Sequence, residues 1–332
     1  MILSSRRRLL LAVGSTGTLG FSSPLIHAQS GSGGYPNKPI KLLVGYSPGG
    51  GVDAVARLIA PRLSQILGQQ FVVENRAGAA GLIAAEATSK APNDGYTIML
   101  ADSSTLIAKH LKKDLSLDPL KALVPVAAVA NAPLVIIVNN NFPASNPKEF
   151  VAALKANPGR YSFATAGIGT VQHLAFEMLK AKTGSFVVHI PYRGAAQILP
   201  DVIGDIVPIG VVSAAAALVQ MRAKKVKAVA ALSAVKLSGG GSSSADDVAP
   251  LADAIPGFDA APRLVIVAPA GTPDAIIAKL SDAVKSIISA PEYQPLAANQ
   301  GAIAPPSLQS LSWPSESEQW AQVIRTQRIT GD

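Results

Sequence analysis

The chain has 332 residues, 48% of them hydrophobic and 5% aromatic, with no cysteine and a formal charge of +8. That length buries a large core and suits two domains better than one or three, and the missing cysteine removes disulfides, thiolate chemistry, cysteine-based metal sites and a lipoprotein anchor together. Three of the basic residues, Arg6, Arg7 and Arg8, stand in a leader; without them 26 basic residues face 21 acidic ones along the chain, with no basic stripe interleaved with stacking rings, which argues against a nucleic-acid partner.

In chain order, the arginines precede a modestly apolar stretch over 9–25 and then Ile26-His27-Ala28. This reads as an export signal over 1–28, cleaved after Ala28, which places the mature protein in the periplasm. Ser5-Arg6-Arg7-Arg8-Leu9-Leu10 resembles a twin-arginine leader, and the Sec route stays open. The stretch is too short and broken for a membrane anchor, and no later segment sustains about 18 apolar residues, so the mature chain is expected to be soluble. Residues 29–35 form a flexible lead-in.

Beyond it, apolar patterning predicts a strand at 40–44, a helix at 53–67, a strand at 71–74, a helix at 79–90 and a strand at 96–101. Such alternation argues for parallel βαβ units. Two apolar runs, 124–129 and 134–138, then follow each other with no helix between them, and here the chain is expected to cross into a second lobe. Alternation resumes with helices at 148–156, 171–182, 195–203 and 214–223 and strands at 161–164, 187–190, 206–212 and 226–232. A Gly/Ser tract at 238–244 reads as a surface loop, a strand at 263–268 returns the chain to the first lobe, and helices at 273–289 and 316–326 close it. The expected fold class is α/β with two lobes, 36–130 plus 264–332 and 131–263, joined by hinge crossings near 129–134 and 261–264.

Chemistry is carried mainly by Gly45-Tyr46-Ser47-Pro48-Gly49-Gly50-Gly51-Val52-Asp53, a glycine-rich turn between the first strand and the first helix. Glycines let backbone approach a ligand, and a helix start offers unpaired N–H groups to an anion. Neither a phosphate-loop Gly-Lys-Ser/Thr nor a dinucleotide G-x-G-x-x-G is present, and Asp53 can equally cap its helix and pair with Arg57. The second lobe supplies a counterpart in Thr165, Ala166, Gly167, Gly169 and Thr170 ahead of His173. One turn per lobe is what a cleft needs to grip an anion from both sides, with Gly167 and Gly169 leaving room to reach the amides that open the helix at Val171. Ser103, Ser104 and Thr105 follow another strand and add hydroxyl donors; Asp102 beside them reads as a turn or capping residue. His110, His173 and His189 lack metal-ligand spacing, and there is no Gly-x-Ser-x-Gly elbow. No catalytic residue, metal or cofactor is therefore expected.

Tyr35-Pro36-x-Lys38-Pro39-Ile40, Pro48-Gly49-Gly50-Gly51-x-Asp53, Glu74-Asn75-Arg76-x-Gly78, Pro92-x-Asp94-Gly95-Tyr96-Thr97, Gly167-x-Gly169-Thr170-x-x-His173-Leu174, His189-x-Pro191-Tyr192-Arg193-Gly194 and Pro269-x-Gly271-Thr272-Pro273 run in one order along the chain. Together they resemble the receptors of tripartite tricarboxylate transporters, the Bug family. The resemblance implies a periplasmic binding protein of Venus-flytrap architecture, acting as a monomer. It would capture a small organic carboxylate (a di- or tricarboxylate, an amino acid or an aromatic acid) and pass it to a small and a large membrane subunit. It also implies that the loops 46–53 and 164–170, with Tyr192, face the ligand and hold it partly through water. The chain departs from the family where Tyr46 and Ser47 replace the frequent Phe and Pro, which makes this wall more polar. A sensor subunit serving a signalling kinase makes the same demands on the sequence, whereas a hydrolase needs groups that are missing.

Overall fold

The computed structural model describes residues 34–330 apart from 112–114, 116, 193–194, 235, 238–246, 304 and 306–312. The export signal, the cleavage site and the Gly/Ser tract therefore lie outside the described residues. From Tyr35 the chain forms β1 (Ile40–Val44), α1 (Gly51–Leu67), β2 (Phe71–Asn75), a 3-10 turn (Ala79–Gly81), α2 (Leu82–Ser89), β3 (Thr97–Asp102), α3 (Ser104–Leu111), α4 (Pro119–Ala122) and β4 (Leu123–Asn131). It continues through β5 (Leu134–Val138), α5 (Pro147–Ala156), β6 (Ser162–Thr165), α6 (Val171–Thr183), β7 (Val188–Pro191), α7 (Ala195–Ile203), β8 (Ile209–Ser213), α8 (Ala214–Arg222) and β9 (Lys227–Ala231). The last part holds β10 (Arg263–Pro269), α9 (Asp274–Ile288), α10 (Tyr293–Asn299) and α11 (Trp313–Gln327).

Two five-stranded sheets result, ordered β2-β1-β3-β10-β4 and β7-β6-β8-β5-β9. Each keeps the expected parallel core, β2-β1-β3 in one and β7-β6-β8 in the other. Each also takes in one antiparallel strand, β10 beside β3 and β5 beside β8. The reversal has a topological cause: β10 and β5 are the strands by which the chain arrives from the other sheet. Runs such as Ile40-Lys41-Leu42-Leu43-Val44, buried except at Lys41, are what strands covered on both faces require.

The first sheet buries Ile40, Leu42 and Val44 against Val55, Ile59 and Leu63 of α1 and Leu280, Val284 and Ile287 of α9. The second packs Phe163 against Phe150, Leu174 and Phe176. Helix α11 serves both: Trp313 joins the core on the far face of the first sheet, whereas Trp320 and Ile324 sit in that of the second. The segment 264–332, expected in the first lobe, thus packs in part against the second sheet, because α11 carries buried apolar residues both at its start, Trp313, and in its second half, Trp320 and Ile324.

Only Ala132 and Pro133 separate β4 from β5. At this crossing Ala132 donates its N–H to the Pro262 carbonyl (2.8 Å) beside the return strand, while Asn131 exchanges backbone bonds with Ile303 (2.8 Å each). The two crossings are therefore hydrogen-bonded to each other. Tyr35, expected in the flexible lead-in, is instead anchored: its hydroxyl donates to the Gly95 carbonyl (2.8 Å) and its ring meets Tyr96 edge-on. Among the described residues no helix is long and apolar enough to cross a membrane.

Candidate functional site

The turn after β1 is shaped by close packing. A Cβ on Gly45 would meet Gly81 Cα at 2.6 Å, and Gly49 adopts φ +82°, a conformation that side chains resist. Asp53 does not cap α1. Its carboxylate turns back to accept from Gly49 N, Arg57 Nε and Asn75 Nδ2, each at 2.9 Å. Burial would raise its pKa, but these donors and the guanidinium hold it below the ordinary carboxylate value. Asn75 also donates to the Tyr46 carbonyl (2.9 Å), so Asp53 and Asn75 together fix the turn from behind.

With Asp53 so engaged, α1 has Gly50 as its N-cap residue and no side-chain cap. Its first N–H groups, which helix geometry leaves without partners, open on a cavity that Gly50, Gly51 and Val52 line. The cavity holds about 40 Å³, room for about three waters or for the charged end of a ligand whose remainder extends into an adjoining space that shares Tyr46 and Ala166. Tyr46, Ser47, Asp102 and Leu264 close it from the first sheet, Ala132 and Pro262 from the crossings, and Leu134, Ala166, Gln172 and Ser213 from the second. The two halves touch around it: a Cβ on Gly51 would meet Ser213 Cβ at 2.6 Å.

Asp102 supplies the carboxylate in this wall. Its Oδ2 accepts from Tyr46 Oη (2.9 Å) and Ser104 Oγ (3.1 Å), and its Oδ1 from Ser104 N (3.1 Å). The Tyr46 hydroxyl, the group that Phe would lack, is thus spent on Asp102. Burial pushes the Asp102 carboxyl up to about 6 against the opposing pull of these donors, with Glu316 nearby adding to the rise. Burial and Asp102 push the Tyr46 phenol well above its ordinary value.

The turn before α6 is arranged differently. Thr170 caps the helix by accepting from His173 N (3.3 Å) and donates to the Gly167 carbonyl (2.8 Å). Gly169 N donates to His173 Nδ1 (3.3 Å), and Val171 N reaches across to Ser104 Oγ (3.1 Å). The amide expected to meet a ligand at Val171 is therefore taken by a hydroxyl of the other half. Thr165 is hydrogen-bonded to His189 Nε2 (2.6 Å), and the rings of His173 and His189 stack 4.1 Å apart. Burial, with Lys180 nearby, lowers His173 to about 4; burial, then His173 and Lys180, lowers His189 to about 3. These rings face a separate cavity with Glu177 and Arg328.

Of the residues expected to face a ligand, Tyr46, Ser47, Gly50, Gly51 and Ala166 line the central cavity. Gly167 and Tyr192 line an outer chamber of about 280 Å³ that shares Tyr46 and Ala166 with it. Gly49 and Asp53 face a different groove with Arg57, and Pro48 lines neither chamber. Ser103 is tied to Glu316 and accepts from Arg263 N (3.0 Å). Ser104 and Thr170 are fully buried and hold other protein groups. The sequence reading missed Gln172, Ser213 and the crossing residues. Ser213 alone carried a signal, since it ends β8 and caps α8 with its hydroxyl, the same strand-to-helix junction without glycines.

Residues 55–327 match the sequence profile of the tripartite tricarboxylate transporter family receptor. Protein BugT of Bordetella pertussis is 33% identical over 325 residues, spanning 96% of this chain and 97% of that one. A solved structure described as a periplasmic transporter superposes with a TM-score of 0.82 at 35% identity, covering 90% of this chain and 100% of that one. An adipate-bound protein from R. palustris superposes at 0.83 with 26% identity, covering 90% and 99%. The fold is that of the two-lobed periplasmic binding proteins.

Proposed function

The chain belongs to the tripartite tricarboxylate transporter receptor family, and from that premise we propose that it is a periplasmic receptor that closes two lobes around a small organic carboxylate and delivers it to the membrane subunits of such a transporter. The observation that carries this reading is the start of α1, which no side chain caps and which opens into the cavity between the two halves. A helix start of this kind concentrates N–H donors and partial positive charge where a carboxylate end fits. The adipate held by the R. palustris relative supports the ligand class.

The lobes are 36–130 with 264–332 and 131–263, with α11 packed against both, and the paired crossings at Ala132 and Pro262 serve as the hinge. Tyr46, Ser47, Gly50 and Gly51 hold the carboxylate, with Ala166, Gln172 and Ser213 closing over it. The chain reaches the periplasm through the signal over 1–28. Mass spectrometry of protein purified from periplasm tests the reading by identifying what copurifies. A small carboxylic acid is expected, and adding it back raises the melting temperature, since a ligand selective for the folded state stabilises it. An acid that copurifies but leaves the melt unchanged contradicts the proposal.

A further inference from the structure

We propose that Asp102 makes this cavity selective for a carboxylate that also carries a protonated nitrogen, and against a plain dicarboxylate; the inference rests on the receptor reading above. The charge layout of the wall carries it. Among the described residues lining the cavity there is no lysine, arginine or histidine, and Asp102 is the single carboxylate. One side of the cavity therefore offers the partial positive charge of the α1 start, and another offers a carboxylate.

The partners of Asp102 show which protonation state the site is built for. Tyr46 Oη, Ser104 Oγ and Ser104 N all donate to it, and a carboxyl surrounded by donors is held as the ionised acceptor. Burial works the other way, raising the group to about 6, which leaves it ionised at neutral pH. Glu316, beside Ser103 and Arg263, adds negative potential and does not offset it. A carboxylate has about four lone-pair positions, and three donors leave one for an incoming N–H group. A dicarboxylate would bring its second negative charge into this small space with no cation in the wall to receive it. In an amino diacid the ammonium meets Asp102 and offsets the charge of the second carboxylate, while the first carboxylate still reaches α1. A purely structural Asp102, holding Tyr46 and Ser104 in place, would not distinguish two ligands that differ only in the ammonium group.

Matched pairs provide the test. Calorimetry at pH 7.5 on the mature wild-type protein compares aspartate with succinate, glutamate with glutarate, and 2-aminoadipate with adipate, each pair sharing one carbon skeleton. In the pair whose length fits, the amino member is expected to bind at least about tenfold tighter. Asp102→Asn should shrink that ratio to within about threefold, by weakening the amino member and strengthening the diacid, with a thermal melt to show that the variant folds. The wild-type comparison stands without any variant. A plain diacid that binds wild type as tightly as its amino partner overturns the inference and leaves the receptor reading standing. Silence from all six compounds also overturns it, while the receptor reading is still judged by the molecule that copurifies.

Discussion

The glycine-rich turns before α1 and α6 look alike in sequence and do opposite work in the structure. Before α1, Gly50 offers no cap and Asp53 points backwards to Gly49, Arg57 and Asn75, so the first amides stay open. Before α6, Thr170 caps the helix, His173 takes the Gly169 N–H, and Ser104 takes the Val171 N–H from across the cleft. One turn leaves its donors open to the cavity. The other spends its donors on its own shape and on joining the two halves. A glycine-rich helix start is therefore evidence of an anion site only when its donors remain unspent.

The largest effect is expected where the open turn meets the other half. Gly51→Val places a branched side chain against Ser213, whose Cβ lies 2.6 Å from where the new Cβ would stand. Overpacking of this kind costs about 1–3 kcal/mol; on the proposed hinge reading that cost falls on the closed form alone, so affinity should drop roughly five- to 150-fold. Calorimetry with the copurifying ligand measures it, and an unchanged affinity would show that Gly51 and Ser213 need not meet for binding.

At the other turn the loss should fall on stability instead. Gly169→Val forces a β-branched residue to φ +78° and presses on Leu111 Cδ1, 3.0 Å from the ideal Cβ. A strained φ costs about 1–3 kcal/mol, seen as a lower melting temperature, whereas affinity measured in the cold should stay within about threefold of the parent. A tenfold loss of affinity with an unchanged melt would return the α6 turn to the ligand site.

A separate effect concerns pH and the stacked histidines. In the unfolded chain they take up protons near 6.5, but in the folded protein His173 does so only near 4 and His189 near 3. Between those values the unfolded state binds more protons, so stability that is complete above about 6.5 is lost as pH falls through this window. Asp102 and Glu316 work in the opposite sense, because their raised values favour the folded form on acidification; the two stacked histidines, with His110 also shifted down, should outweigh them. Melting temperatures from pH 7.5 to 4 are expected to fall, and His173→Asn, which keeps an acceptor for Gly169 N, should flatten the slope. A melt that does not fall over this range would mean that the rings are charged in the folded state.

Much of this architecture was legible in the sequence. The paired apolar runs at 124–129 and 134–138 marked the crossing that β4 and β5 make, because a chain that changes sheets needs no helix between the strands. Helix α3 was not legible: it begins within two residues of β3, so no loop announces it. Helix α10 was hidden by Pro295 in a seven-residue span. The turn at 46–51 was found through its glycines. The direction of Asp53 was not, since it depends on Asn75, which lies 22 residues away on β2. Asp102 read as a turn residue and does bond Ser104 N. Its place in the cavity wall follows from Tyr46 folding over it, a contact that no local pattern encodes. Gln172, Ser213, Pro262 and Leu264 reach the cavity only through the packing of one sheet against the other.

A crystal structure of the protein with the ligand it carries from the cell tests the central claim most directly. The account predicts a carboxylate oxygen about 2.7–3.2 Å from the amide nitrogen of Gly51 or Val52, within the cavity that Tyr46, Gln172 and Ser213 close. A ligand seated elsewhere, in the groove beside Asp53 and Arg57 or against the α6 turn, with only water on the first amides of α1, would contradict it.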